Sequence, residues 1–176
     1  MRCFKACSIR EVVMNDLEQI LTWRNHPAIR RYMLTQHRIT LDEHVNWFMR
    51  ASNDPLKRLL IVEENRQAFG FIQFSGVARD AVANWGFYTV PRAPKGSGWK
   101  LGVTALDFAF QELALRKICG QALDLNEPSI RFHRMLGFQQ EGVLREHHKI
   151  GRAYHNLICF GLLRHEWAKT ELRRVE

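Results

Sequence analysis

The sequence lacks any long apolar run. Nowhere does it approach the roughly 18 to 20 hydrophobic residues that a membrane-crossing helix needs. It also lacks a signal-peptide core: Met1-Arg2-Cys3-Phe4-Lys5-Ala6-Cys7 interleaves charge with apolar residues, so a cytoplasmic location is expected. Cysteine is scarce. Cys3, Cys7, Cys119 and Cys159 form no CxxC pair and read as small core hydrophobes in a reducing compartment. Histidine is present without a metal-ligand spacing, and the adjacent His147 and His148 would point to opposite faces of a strand, so no metal is expected. There is no internal repeat, low-complexity tract or linker, and residues 1–176 are expected to form a single domain. Acidic residues are the minority, 18 against 26 Lys and Arg, leaving a net charge of +8. Such a surplus favours anionic partners, although it also describes a plain soluble surface. The basic residues form no run and no nucleic-acid motif, which argues against nucleic acid.

What is present alternates between two periods. Residues 3–13 read as a strand, and Asn15 as the N-cap of a helix with Leu17, Ile20, Leu21 and Trp23 on one face. Pro27 ends or bends that helix. Thr40-Leu41-Asp42-Glu43 is a capping box opening a second helix, with Val45, Phe48 and Met49 inward. Residues 59–62, 68–74 and 83–90 read as strands, and a loop over 91–98 leads into a helix from Trp99. A strand at 118–123, a helix at 126–135 ended by Gly137, and strands at 138–145 and 154–163 complete the order β-α-α-β-β-β-α-β-α-β-β. The expected fold class is α/β (α+β).

The loop Pro91-Arg92-Ala93-Pro94-Lys95-Gly96-Ser97-Gly98-Trp99-Lys100 joins a strand to a helix. Backbone N–H groups converge at such a junction, and the helix dipole adds positive potential. Gly96 and Gly98 would let a phosphate approach the backbone, with Lys95 and Lys100 adding charge; the alternative is an ordinary turn. It is neither a Walker loop nor a dinucleotide fingerprint.

The later run Leu125-Asn126-Glu127-Pro128-Ser129-Ile130-Arg131-Phe132-His133-Arg134-Met135-Leu136-Gly137-Phe138, followed by Glu141-Gly142, resembles the closing motif of the GCN5-related N-acetyltransferases (GNAT). Gly96-Ser97-Gly98 falls where that family places its pyrophosphate loop, so the match covers about residues 82–146. Trp23-Arg24-Asn25-His26-Pro27, with Ile39-Thr40-Leu41 and His44, resembles the nucleotide-sugar acetyltransferases of pseudaminic acid biosynthesis. The resemblance implies a mixed, largely antiparallel sheet of about seven strands flanked by about four helices. Acetyl-CoA would be the co-substrate, a small-molecule nucleotide sugar the partner, and no membrane would be involved; a homodimer stays open. Acceptor-site elements are expected within about residues 15–52.

The resemblance also implies roles. The strand ending at Val90 would splay from its neighbour to pair with the pantetheine arm, a backbone N–H there, that of Val90, holding the oxyanion. Gly96, Ser97, Gly98 and Trp99 would meet the pyrophosphate and Asn126 the pantetheine or the thioester region. Arg92 and Lys95 would supply the charge that the family draws from a Gln or Arg, where this chain has Ala93. His133 stands where the family carries a Tyr thought to protonate the departing thiolate, and transfer from an imidazolium near 6.5 to a thiolate near 8.5 runs downhill. The alternative is a surface histidine in an enzyme that uses water. Arg24 and Asn25 would face the cleft mouth, and Arg24 and His44 would contact the nucleotide, with Gln73 and Asn84 as further contacts. The base is open between Glu43, His44 and water. Acceptors other than a UDP-linked amino sugar are a ribosomal protein N-terminus or a polyamine. A non-catalytic acetyl-CoA-binding module is the alternative outside catalysis.

Overall fold

The computed structural model describes residues 7–170. Of the strand expected over 3–13, the part within the described residues is β1 (Cys7–Glu11). The remaining strands are β2 (Lys57–Glu64), β3 (Gln67–Ser75), β4 (Val82–Thr89), β5 (Lys117–Leu123), β6 (Gln139–Ile150) and β7 (Ala153–Leu163). They form one seven-stranded sheet in the order β1-β2-β3-β4-β5-β7-β6. Every neighbouring pair is antiparallel except β4 and β5.

Six helices accompany the sheet among the described residues: α1 (Leu17–Asn25), α2 (Pro27–Arg30), α3 (Leu41–Ser52), α4 (Ser97–Asp107), α5 (Glu127–Met135) and α6 (Arg164–Lys169). The two beyond the expected four are short. Pro27 ends α1 and also opens α2, because its fixed φ and missing N–H suit a first helical turn.

Apolar side chains cover both faces of the sheet, as the continuous run Leu59-Leu60-Ile61-Val62 requires. On one face Leu60, Ile72 and Phe74 pack with Leu101, Ala105 and Leu106 of α4. On the other, Ile61 and Phe71 pack with Ile20 and Trp23 of α1 and Phe48 of α3.

Three local expectations are corrected. Asn15 is exposed and caps nothing. A 3-10 turn over Met14–Asp16 precedes α1, and buried Asp16 takes the Val13 N–H at 2.9 Å and the Arg10 guanidinium at 2.7 and 2.9 Å. Met49 faces solvent, and the inner stripe of α3 is His44, Phe48 and Ala51. Helix α4 begins at Ser97, because Gly96 adopts φ +92° and turns the chain into the helix two residues before Trp99. The Thr40–Glu43 capping box is present, with Glu43 N–H on Thr40 Oγ1 at 3.2 Å and Thr40 N–H on Glu43 Oε2 at 2.7 Å.

Candidate active site

Strands β4 and β5 pair over only three positions, Val82–Lys117, Ala83–Ile118 and Asn84–Cys119, and then part. Beyond Asn84 one edge of β4 is open. Hydrogen bonds on an antiparallel strand alternate in direction, and Val90 N–H donates to Phe69 O of β3 at 2.7 Å. The register pairs Tyr88 with Phe71 and Gly86 with Gln73, so those residues also face β3. The backbone groups of Phe87 and Thr89 therefore face the opening. This corrects the role expected of the Val90 N–H, which is spent within the sheet.

A cavity of about 280 Å³ lies along the open edge. Phe87, Tyr88 and Thr89 of β4 form its floor, with Gly98 of α4 and Asn126, Ser129 and Phe132 at α5 among its walls. Helix α4 points its N-terminus here. Ser97 N–H donates to Pro94 O and Lys100 N–H to Gly96 O, both at 3.1 Å, and between them Gly98 and Trp99 carry first-turn amides, which have no partner within a helix. Asn126 caps α5, its Oδ1 accepting from Ser129 N–H at 3.2 Å. Of the other expected cofactor residues, Arg92 and Lys95 are exposed on the loop. Arg92 holds a left-handed φ of +61°. Trp99 packs against the core, and Lys100 pairs with Glu64 of β2, so neither side chain is directed at the cavity.

A second cavity, of about 450 Å³, lies on the other face of β4. Arg24, His44, Trp47 and Gln73 line it, and Met33, Phe87 and Tyr88 are common to both cavities. Arg24 Nη2 donates to Thr35 O at 3.2 Å, while buried Nη1 has no hydrogen-bond partner among the described residues. Burial lowers the pKa of Arg24. His44 is 4% exposed, stacks on Trp47 at 5.0 Å, and leaves Nε2 buried without a partner. Burial, then the charge of Arg24, lowers the pKa of His44 and keeps its ring neutral near pH 7. Burial likewise pushes the Tyr88 phenol up.

Arg24, His44 and Gln73 are thus brought together, but Asn25 and Asn84 are not. Asn25 clamps Ile39 through two hydrogen bonds of 2.8 and 2.9 Å, fixing the segment that walls the cavity. Asn84 shares the side-chain face of Gly86 and Tyr88 but stands exposed at the paired end of β4, beyond the residues that line either cavity.

His133 departs furthest from expectation. It is 1% exposed, against the Phe160 ring at 4.7 Å. Trp85 Nε1–H donates to its Nε2 at 3.1 Å, so the proton on Nδ1 goes to Ser129 O at 2.8 Å. Burial lowers its pKa to about 4. A neutral, enclosed ring whose one N–H is held by Ser129 O is not the imidazolium that would protonate a thiolate, which corrects the acid role expected of it.

Sequence reasoning passed over Tyr88, Thr89, Met33 and Ser129 as lining residues. The signal for Tyr88 was its two-residue spacing from Gly86, which places both on the face opposite Phe87. Among the described residues no three His, Cys, Asp or Glu side chains are grouped to hold a metal, and no helix is long and apolar enough to cross a membrane.

Likeness to known proteins runs the length of this site. A family model described as an acetyltransferase (GNAT) domain matches residues 8–139. The prophage-derived N-acetyltransferase YokL of Bacillus subtilis is 34% identical over 113 residues, 62% of this chain and 63% of its own length, so the match spans less than two thirds of that relative. Acetyltransferase PseH of Campylobacter jejuni is 25% identical over 134 residues, 76% of this chain and 83% of its own. The spermidine N-acetyltransferase of Vibrio cholerae, solved in complex with CoA and spermine, superposes with a TM-score of 0.84 at 20% identity, covering 94% of this chain and 99% of its own. At that identity it speaks for the fold.

Proposed function

The chain belongs to the GNAT acetyltransferase family, and from that membership we propose that its acceptor is the 4-amino group of a UDP-linked amino-dideoxy sugar. The chain is an acetyl-CoA-dependent N-acetyltransferase. The acceptor named here is UDP-4-amino-4,6-dideoxy-N-acetyl-β-L-altrosamine, acetylated on the route to pseudaminic acid and flagellin glycosylation.

One observation carries the reading: the acceptor cavity holds a buried guanidinium nitrogen without a partner, among aromatic walls. A half-buried guanidinium with a buried, unpartnered nitrogen favours an anionic group on the ligand and disfavours a polyamine, although Glu43 also stands on the lining. Trp47 and Tyr88 offer faces for a pyrimidine, and Arg24 offers donors to a diphosphate. The likeness to PseH supports the same acceptor.

Chemistry follows from the wall that the cavities share. Acetyl-CoA lies along the open edge of β4, its pyrophosphate at the first-turn amides of Gly98 and Trp99. The neutral amine, entering from the Arg24 side, attacks the thioester carbonyl carbon. The new C–N bond forms as the C–S bond breaks, and the amine sheds one proton to water. The outward N–H of Phe87 or Thr89 meets the developing oxyanion, a donor worth about 3 kcal/mol in comparable sites. Positioning both substrates at one wall supplies much of the remainder. The thiolate takes its proton from solvent, because His133 is neutral and enclosed.

The test is calorimetric titration of acetyl-CoA, followed by measurement of CoA release on adding the UDP-amino sugar, spermidine or a ribosomal-protein N-terminal peptide. Release with the sugar alone supports the reading. Turnover of spermidine or the peptide, with the sugar inert, overturns it.

A further inference from the structure

We propose that Trp85 and His133 form a hydrogen-bonded brace across the point where β4 and β5 part, and that this brace positions the open edge of β4 for the thioester. The inference rests on the reading of that edge as the seat of acetyl-CoA. It gives His133 a positioning role in place of the acid role suggested by its place in the motif.

The paired register between the two strands ends at Asn84 and Cys119, so Trp85 and Gly120 occupy the first rung beyond it, where the strands begin to part. Side chains bridge the strands at that rung. A Cβ built on Gly120 would stand 2.3 Å from His133 Nε2 and 2.6 Å from Trp85 Nε1, so both rings press directly on the β5 backbone. The indole N–H of Trp85 meets His133 Nε2 at 3.1 Å, and His133 Nδ1 meets Ser129 O at 2.8 Å. One continuous chain of bonds thus runs from β4 to the first turn of α5, laid over Gly120. Aromatic packing fixes both members: His133 lies parallel to Phe160 of β7, and Trp85 stacks on Phe138 at 5.0 Å.

The consequence reaches the reacting end by strand geometry. Trp85, Phe87 and Thr89 share one side-chain face and one backbone direction, so a tilt at Trp85 is transmitted to the amides two and four residues on. The same chain holds Ser129, whose turn walls the cavity opposite those amides. The burial that depresses the His133 pKa keeps the ring in the neutral form that can accept the indole proton.

Two measurements test the brace. Nitrogen-15 long-range NMR on the unaltered protein should show His133 protonated on Nδ1 only, unchanged between roughly pH 5.5 and 8. Steady-state kinetics should show KM for acetyl-CoA raised about tenfold in Trp85→Phe and His133→Phe, with the acceptor KM unmoved, because an orphaned partner costs about that factor. His133→Gln retains an acceptor for the indole and a donor for Ser129, and should stay within about threefold of the original. A hundredfold loss of kcat in His133→Gln at constant KM, with loss of a pH-rate limb, would reinstate the acid and overturn the brace. Unchanged constants in all three variants overturn it as well. Should His133→Phe not fold, the tautomer decides: a proton on Nε2, or a ring titrating near neutrality, refutes the brace. Failure of the unaltered protein to bind acetyl-CoA would instead sink the donor-seat reading, leaving the tautomer result to stand alone.

Discussion

Arg24 and His44 line one cavity, and each buries a nitrogen there, Nη1 and Nε2, with no hydrogen-bond partner among the described residues. Unsatisfied buried polar atoms cost stability, so two in one cavity mark a surface shaped for a ligand that completes them.

Removing that cost should stabilise the fold while harming catalysis. We expect Arg24→Met to leave Tm unchanged or raise it by roughly 2–4 °C, as about 1 kcal/mol would in a chain of this size. The same change should raise the acceptor KM about tenfold or more, with the KM for acetyl-CoA unaltered. Thermal denaturation without ligand, beside two-substrate kinetics, checks both signs. A fall in Tm with unchanged acceptor KM would show that Arg24 serves the fold.

Acid should weaken the protein through His133. Its folded pKa is about 4, and an unfolded histidine sits at 6.5, so between these values the unfolded chain binds a proton that the folded chain refuses. The contribution is therefore complete above 6.5 and is lost as pH falls toward 4, by about 3 kcal/mol at 1.36 kcal/mol per pH unit. Urea melts from pH 7 to 4.5 should show a steeper loss for the unaltered chain than for His133→Gln. Parallel slopes would contradict the assignment.

Gly98 should separate binding from folding. A Cβ there meets nothing nearer than Phe132 at 3.8 Å, and no left-handed φ forbids alanine. Inside α4, Gly98→Ala should stabilise by roughly 0.5–1 kcal/mol. If a phosphate approaches this backbone, the KM for acetyl-CoA should nevertheless rise. At Gly96, with φ +92° and open space around it, alanine should instead cost about 1 kcal/mol from backbone strain alone. Melting curves and acetyl-CoA titrations of the two variants distinguish these effects.

Asn25→Ala removes both hydrogen bonds to Ile39 and should cost about 2 kcal/mol. Because Ile39 walls the acceptor cavity, the acceptor KM should rise while that for acetyl-CoA holds. Equal effects on both substrates would mean that the clamp acts on the whole fold.

Much of this was legible in the sequence where the signal is local. The Thr40–Glu43 box, the apolar run of β2 and the turn at Gly96 each depend on neighbours within a few residues, and each was placed within two positions. Arg24, His44 and Gln73, singled out from the sequence, line one cavity. What failed depends on register and depth. Val90 reads as a free amide until its opposition to Phe69 is known. His133 reads as a general acid, or else a surface histidine, until Trp85, forty-eight residues away, is seen to donate to it. Asn25 and Arg24 are adjacent in the chain, yet a helix turns adjacent side chains to different sides.

The shared wall of Phe87, Tyr88 and Met33 has a bearing on how such an enzyme diversifies. A mutation in that wall disturbs donor and acceptor together, so a lineage exploring new acceptors gains little there. Arg24 on α1 and His44 and Trp47 on α3 line only the second cavity; of these, His44 also lies on the packed face of α3 and Trp47 meets Phe71 of β3 edge-on, whereas Arg24 is outside the sheet packing that Ile20 and Phe48 provide. If the proposed acceptor site holds, acceptor choice would drift first at Arg24, where little of the sheet packing is at stake, while acetyl transfer is inherited intact.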